Sequence, residues 1–393
     1  MSKASFSNKT SFGSKTSFGK TCNKTWFSAL ALFSFLAATT ANAQDIAVAA
    51  AGPMTGGQAT FGRQMRNGAE QAIADLNAAG GVLGKKLALQ IGDDACDPKQ
   101  ARSVAEKLAG AGVAVVVGHY CSSSSIPASD AYLDGGVLQI TPASTNPLFT
   151  DRKMWNTFRT CGRDDQQGGF AAAYLAKNFK GKNIAIINDK TTYGKGLADE
   201  VKKALNAAGV KEKLYESYNQ GDKDFTALVS KLKLNGIDIV YDGGYHQEAG
   251  LIVRQMRDQG LKTILMAGDA LADREFASIA GPAAEGVLFT FGPDPRKRAT
   301  AAPIVEKFKA KGIDPEGYTL YTYAAFQVWA QAVAKAGSVD GQKVAAALHA
   351  GTWDTVLGPL SFDKRGDITA VGWAVFRWDK DGNYDEITES GRT

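Results

Sequence analysis

Histidine is scarce in this chain, with three in 393 residues, and the four cysteines form no Cys-x-x-Cys pair. Without clustered imidazole or thiolate ligands there is no metal site to assemble, and no cofactor is called for. No Gly-x-Ser-x-Gly elbow appears, which removes the usual geometry for a Ser-His hydrolase. The turn after the first predicted strand, Gly52-Pro-Met-Thr-Gly-Gly57, is neither Gly-x-Gly-x-x-Gly nor a Gly-Lys-Ser/Thr loop. Dinucleotide and nucleoside-triphosphate cradles are thereby disfavoured. The apolar run from Phe27 to Ala38 falls well short of the ~20 residues a membrane span requires.

What precedes and follows that run is informative. Lys3, Lys9, Lys15, Lys20 and Lys24 come before it with no acid, and Ala41-Asn42-Ala43 follows. Residues 1–43 therefore read as a secretory signal, cleaved between Ala43 and Gln44, with the periplasm as destination. Without these five lysines the 45 bases become 40, matching the 40 acids. The positive charge belongs to the leader, and nothing in the remainder calls for nucleic acid or an anionic membrane. About 350 residues are left, enough for two domains of ordinary size.

Those residues alternate between strand and helix patterns. Strands are predicted at 46–51, 87–91, 113–117, 137–140, 184–187, 213–216, 237–241, 263–266 and 287–290. Between them fall helices at 64–79, 165–179, 196–208 and 224–234, and one introduced by Asp97-Pro98. The tail predicts helices at 321–335 and 342–350 and β segments near Leu360 and 373–378, completing one or both sheets. This β-α repetition implies an α/β fold of two doubly wound parallel sheets. Gly292-Pro-Asp-Pro295 marks a chain crossing between them. Cys96 and Cys121 each follow a predicted strand of one sheet, so in an oxidising compartment they are the obvious disulfide pair, leaving Cys161 as a buried thiol. Closing that loop contributes roughly 3 to 4 kcal/mol by loop entropy.

The organising stretch is Val113 to Pro127, a β-branched run to Gly118 followed by Ser122-Ser-Ser-Ser125 ahead of a Pro-initiated segment. A strand running directly into a helix offers free N–H groups and hydroxyls to an anion. Taken alone, such serines are equally ordinary helix caps. Further polar or aromatic residues follow other strands: Ala143 and Thr145, Tyr193, Tyr245 and Asp269. Ligands of doubly wound sheets bind beyond the carboxyl ends of the strands, so these six positions describe a cleft lined from both halves. Asp269 alone also suits a helix cap, and Phe61 is divided between cleft wall and local packing. His119 and His246 are expected to be structural hydrogen-bonders, and His349 has no evident partner.

The stretches Gly92-Asp-Asp-Ala-Cys-Asp-Pro-Lys-Gln100, Gly118-His-Tyr-Cys-Ser-Ser-Ser, Ile140-Thr-Pro-Ala-Ser-Thr145, Asp189-Lys-Thr-Thr-Tyr-Gly194, Gly243-Gly-Tyr-His246 and Gly358-Pro-Leu-Ser-Phe-Asp363 resemble the leucine/isoleucine/valine-binding proteins of ABC importers. The resemblance implies a type I periplasmic binding fold, two Rossmann-like lobes joined by a three-strand hinge. Lobe 1 would comprise 44–162 plus about 294–370, and lobe 2 would comprise 163–293 plus about 371–393. It implies that the α-carboxylate of an L-amino acid meets the Ser122 hydroxyl, Thr145 and N–H groups of the serine helix. The ammonium would meet the Ala143 carbonyl, the Thr145 hydroxyl and Asp269, with Tyr193 and Tyr245 closing from the second lobe. Asp269 stands where the family usually has Glu, and Phe61 where Tyr is common.

The expectation is therefore a monomeric, non-enzymatic binding protein that captures Leu, Ile or Val and delivers it to the membrane subunits of an ABC permease. The alternative is a relative for another amino acid or a small amide, serving transport or sensing.

Overall fold

The computed structural model describes residues 44–370 and 372–387, so the expected signal at 1–43 lies outside the described residues. Five parallel strands make the first sheet, in the order β2-β1-β3-β4-β5: β1 Ile46–Gly52, β2 Leu87–Asp93, β3 Val115–Gly118, β4 Leu138–Thr141 and β5 Thr157–Arg159. Helices α1 Ala59–Ala78, α2 Pro98–Gly110, α3 Ser122–Asp134 and the short α4 Leu148–Asp151 connect them. The second sheet takes β6 Ile184–Asn188, β7 Leu214–Ser217, β8 Ile239–Gly243, β9 Ile264–Ala267 and β10 Leu288–Phe291, all parallel. Among these run α5 Asp164–Asn178, α6 Thr192–Ala207, α7 Thr226–Leu234, α8 His246–Asp258 and α9 Glu275–Ala280.

The tail departs from the expected all-parallel winding. After α10 Ala302–Ala310, α11 Thr319–Ala336 and α12 Gly341–His349, strands β11 Thr352–Thr355 and β12 Gly358–Ser361 form a hairpin of their own. Strands β13 Ala374–Trp378 and β14 Tyr384–Glu386 then extend only the second sheet, antiparallel at β10–β13 and at β13–β14. The chain passes between the sheets three times: after Arg159, after Phe291 and between Ser361 and Ala374.

Burial explains the layers. Strands β3 and β4 are buried on both faces, as continuous apolar runs in a parallel sheet require. Helix α11, with Trp329 and Val333 inside, packs with α1 over the first sheet's core. Gly68 permits that approach, since a Cβ there would stand 2.2 Å from the Thr319 carbonyl oxygen.

Helix starts were the least legible feature. Helix α1 begins at Ala59 instead of 64, carrying Phe61 in its first turn. Helix α6 begins at Thr192 instead of 196, because the Thr191 hydroxyl accepts from Gly194 N at 2.9 Å and caps it. Helix α3 begins at Ser122, so the serines are its first turn and Pro127 lies inside it instead of starting it.

Candidate functional site

The carboxyl end of β3 and the start of α3 form one end of the site. The Cys121 carbonyl accepts from Ser124 N and Ser125 N, each at 2.9 Å. Helix geometry leaves the N–H groups of Ser122 and Ser123 as donors beyond the strand end. Ser122 Oγ accepts from Asn146 N at 3.3 Å, while Ser125 Oγ is taken up by Ser144 Oγ at 2.6 Å and by His119 N at 3.0 Å. The serine cluster is thus divided in role, with Ser125 serving the fold. Cys96 and Cys121 are joined in a disulfide with Cα atoms 5.6 Å apart, tying the loop after β2 to the residue that precedes α3. Cys161 is a buried free thiol, and its burial pushes its pKa well up. His119 is structural, as expected, with Nδ1 2.5 Å from Asp94 Oδ2 and Nε2 3.0 Å from the Tyr132 hydroxyl.

Beyond β4 the chain folds back on Thr141, whose hydroxyl donates to the His119 carbonyl at 2.7 Å and accepts from Ser144 N at 2.9 Å. Arg159 secures the same turn by donating to the carbonyls of Ser144 at 2.6 Å and Asn146 at 3.0 Å. Ala143 and Thr145 are buried on it. The Thr145 carbonyl accepts from Asp164 N at 2.9 Å. Thr145 Oγ1 lies beside the Asp164 carboxylate, both buried; burial pushes the Asp164 pKa well above the ordinary carboxylate range, against the pull of the Thr145 hydroxyl.

The second sheet supplies the opposing face. Tyr193 stands in the first turn of α6, Tyr245 immediately precedes α8, and their rings are 5.1 Å apart. Asp269 is no helix cap. Its Oδ1 accepts from the Tyr193 hydroxyl at 3.0 Å and its Oδ2 from the Tyr318 hydroxyl. Gly268 makes room for this, since a Cβ there would sit 2.6 Å from the Tyr193 oxygen. Burial pushes the Asp269 carboxyl above the ordinary carboxylate range, against the pull of the Tyr318 hydroxyl. Phe61 stacks on Tyr120 at 4.5 Å and meets His246 edge-on at 5.2 Å, which makes it part of an aromatic seam between the two halves. Tyr120 continues that seam to Tyr245 at 6.1 Å. His246 lies 3.3 Å from Glu275, and His349, for which the sequence suggested no partner, is 2.8 Å from the Asp363 carbonyl.

None of the seven predicted site residues is more than 4 % exposed. Bonds crossing between the halves account for this enclosure. Thr60 Oγ1 and Gln64 Nε2 both donate to Asp273 Oδ2 at 2.7 Å, and Asn146 Nδ2 donates to the Thr192 carbonyl at 2.9 Å. A small cavity of about 50 Å³, partly open to solvent, reaches Thr145 and Asp269 and continues along Cys161, Tyr318 and Tyr321. Phe61, Ser122, Ala143, Tyr193 and Tyr245 do not line it.

Tyr120, Asp164 and Tyr318 escaped the sequence reading. Tyr120 sat within a quoted motif, Asp164 looked like an ordinary helix start, and Tyr318 arrives from the tail. Chemically, the strand ends bring together free N–H donors at the start of α3, the buried acids Asp164 and Asp269, and the rings of Phe61, Tyr120, Tyr193 and Tyr245. Among the described residues no group of three His, Cys, Asp or Glu could hold a metal ion, and no helix is long and apolar enough to cross a membrane.

Comparison with known proteins is extensive. The family described as periplasmic binding protein matches residues 45–383. The chain is 52% identical over 369 residues to a protein of Brucella suis named Leu/Ile/Val-binding protein homolog 1, covering 93% of this chain and 100% of that one. It is similar to the crystal structure of a leucine-binding protein from Thermotoga maritima, at TM-score 0.81 and 29% identity over 87% of this chain and 98% of that one. It is also similar to an ABC transporter substrate-binding protein from Desulfitobacterium hafniense in complex with Leu, at TM-score 0.72 and 28% identity over 88% of this chain and 100% of that one.

Proposed function

Since the chain belongs to the periplasmic binding protein family, among its leucine/isoleucine/valine-binding members, we propose that it captures a branched-chain aliphatic L-amino acid and delivers it to an ABC permease. Two lobes, 44–162 with about 294–370 and 163–293 with about 371–393, would close on the ligand. The mechanism is a shift of an open–closed equilibrium, with no covalent step. The protein would act as an exported monomer in the periplasm.

The observation that supports this reading is that the strand ends of the two sheets bury both kinds of complementary group, with Thr145 and Asp269 lining one cavity. N–H donors of α3 and the Ser122 hydroxyl suit an α-carboxylate. Ala143, Thr145 and Asp269 suit its ammonium. Tyr193, Tyr245 and Phe61 would cover the aliphatic part. Ser122 meets a backbone N–H, and His119 is occupied by Asp94 and Tyr132, so these two do not form a nucleophile–base pair.

Calorimetry of refolded, ligand-free protein against the twenty amino acids tests the proposal. Saturable binding of leucine, isoleucine or valine, stronger than that of polar or charged amino acids, is the expected result. Absence of binding to any of the three overturns it. A methylene is worth about 0.8 kcal/mol of burial, roughly fourfold in affinity, so their order is a matter for that titration.

A further inference from the structure

Asp164 opens α5 directly after the first crossing between the sheets, and both of its carboxylate oxygens are buried, with the Thr145 hydroxyl beside them. An acid in a helix's first turn normally gains from the helix dipole while remaining in water. A dry carboxylate with a single neutral hydroxyl for its acceptor sites demands a proton or a cation.

Burial pushes the Asp164 pKa up and the charge of Arg159 draws it down, but the bonds of Arg159 are made elsewhere. Arg159 of β5 is engaged by Asp367 at 2.6 Å and by the Ser144 and Asn146 carbonyls. Asp165, adjacent in α5, is held by Arg163 at 2.9 Å. Asp269, beyond β9, is a second acid, and Tyr193 of α6, Tyr241 of β8 and Tyr245 before α8 are phenols whose pKa values burial pushes further up. Cys161, on the crossing itself, is a buried neutral thiol. The contrast with Asp269 is direct, because that carboxylate already accepts two tyrosine hydroxyls. What lies beside Asp164 is the Thr145 hydroxyl, equally buried and pulling its pKa down.

We propose that Asp164 is the second carboxylate of the ammonium subsite, so that the ligand's ammonium is shared among Asp164, Thr145 and Asp269. This rests on the amino-acid-binding reading above. In the empty site a proton occupies the Asp164–Asp269 pair. When the ammonium enters, the carboxyl O–H breaks, the carboxylate takes the ammonium's hydrogen bond, and the proton passes to solvent. Recognition then requires a protonated amine, and binding is linked to pH.

The experiment is calorimetric titration of L-leucine into the wild-type protein and Asp164→Asn between pH 5 and 8, in buffers of different ionisation enthalpy. The wild type is expected to release a proton on binding, with affinity rising by up to tenfold per pH unit while that proton is retained in the empty site. Asp164→Asn is expected to bind at least tenfold more weakly at pH 7.5 and to lose up to one proton of linkage. A residue that merely supports the fold would weaken binding equally at every pH. The proposal is overturned if the wild type binds leucine without releasing a proton at any pH, or if the variant keeps the wild-type affinity and slope. Should Asp164→Asn fail to fold, the wild-type proton count decides alone. A wild type that binds no aliphatic amino acid refutes the functional reading itself, an outcome separate from either of these.

Discussion

Replacing Asp269 by alanine is the sharpest single perturbation of the site. Its carboxylate is 3 % exposed and accepts from the hydroxyls of Tyr193 and Tyr318. Truncation would leave two phenols without an acceptor and a bound ammonium without one of its counter-charges. Removing one partner of a buried ion pair costs about 3 to 5 kcal/mol, which is roughly two to four orders of magnitude in affinity. Sharing of the ammonium with Asp164 and Thr145 lowers that figure, so the expected loss is at least about tenfold. Calorimetry measures it directly, and thermal stability provides a second reading through ligand linkage. For a wild-type Kd of about 1 µM, 1 mM leucine adds about 4 kcal/mol to unfolding, and a hundredfold weaker variant gains only about 1.4 kcal/mol. Burial raises the Asp269 pKa, so the empty variant should melt no lower than the empty wild type by more than the loss of two neutral hydrogen bonds, about 2 kcal/mol. Affinity within threefold of wild type would remove Asp269 from the ammonium subsite.

Three further outcomes follow from the geometry. Replacing Cys96 and Cys121 together by serine should cost roughly 3 to 4 kcal/mol in chemical denaturation for this separation of 25 residues, and an unchanged midpoint would refute the stabilising role. Asp273→Ala deprives Thr60 and Gln64 of their shared acceptor. Scattering from the unliganded variant should give a larger radius of gyration, and leucine binding should weaken about ten- to hundredfold; unaltered scattering and affinity would contradict a closing role. Burial pushes the Asp189 carboxyl up to about 6, so the folded state keeps a proton that the unfolded chain gives up near pH 4. Stability from this group therefore falls as pH rises from about 4 to about 6 and is flat above, and Asp189→Asn should remove up to roughly 2 kcal/mol of that slope in denaturation measured at pH 4.5 and 7.

The strands were legible because parallel sheets bury both faces, and stretches such as Val115-Val116-Val117 carry that requirement in their composition. Asp97-Pro98 likewise announced α2, whose Asp97 carboxylate accepts from Gln100 N at 2.8 Å. Thr191 was overlooked as a cap since Tyr193 and Gly194 follow it before any apolar periodicity begins. The antiparallel edge of β13 and β14 is a tertiary choice, set by which sheet has an open side when the chain returns. Residues at strand ends could be assembled into a site by topology alone. Tyr318 could not, for it comes from α11's approach and meets Asp269 only once both halves are folded together. Asp164 was visible as a letter, but its burial is a property of the three-dimensional fold.

Gln64 receives Tyr318 N at 2.8 Å and hands its own amide to Asp273, so one side chain reports on both halves at once. On the solvent face of the same helix Arg66 and Glu70 form an ion pair at 2.7 Å. Parting Tyr318 from Asp273 would have to break one of the Gln64 bonds, so a single amide ties the tail's return to the stretch ahead of α9.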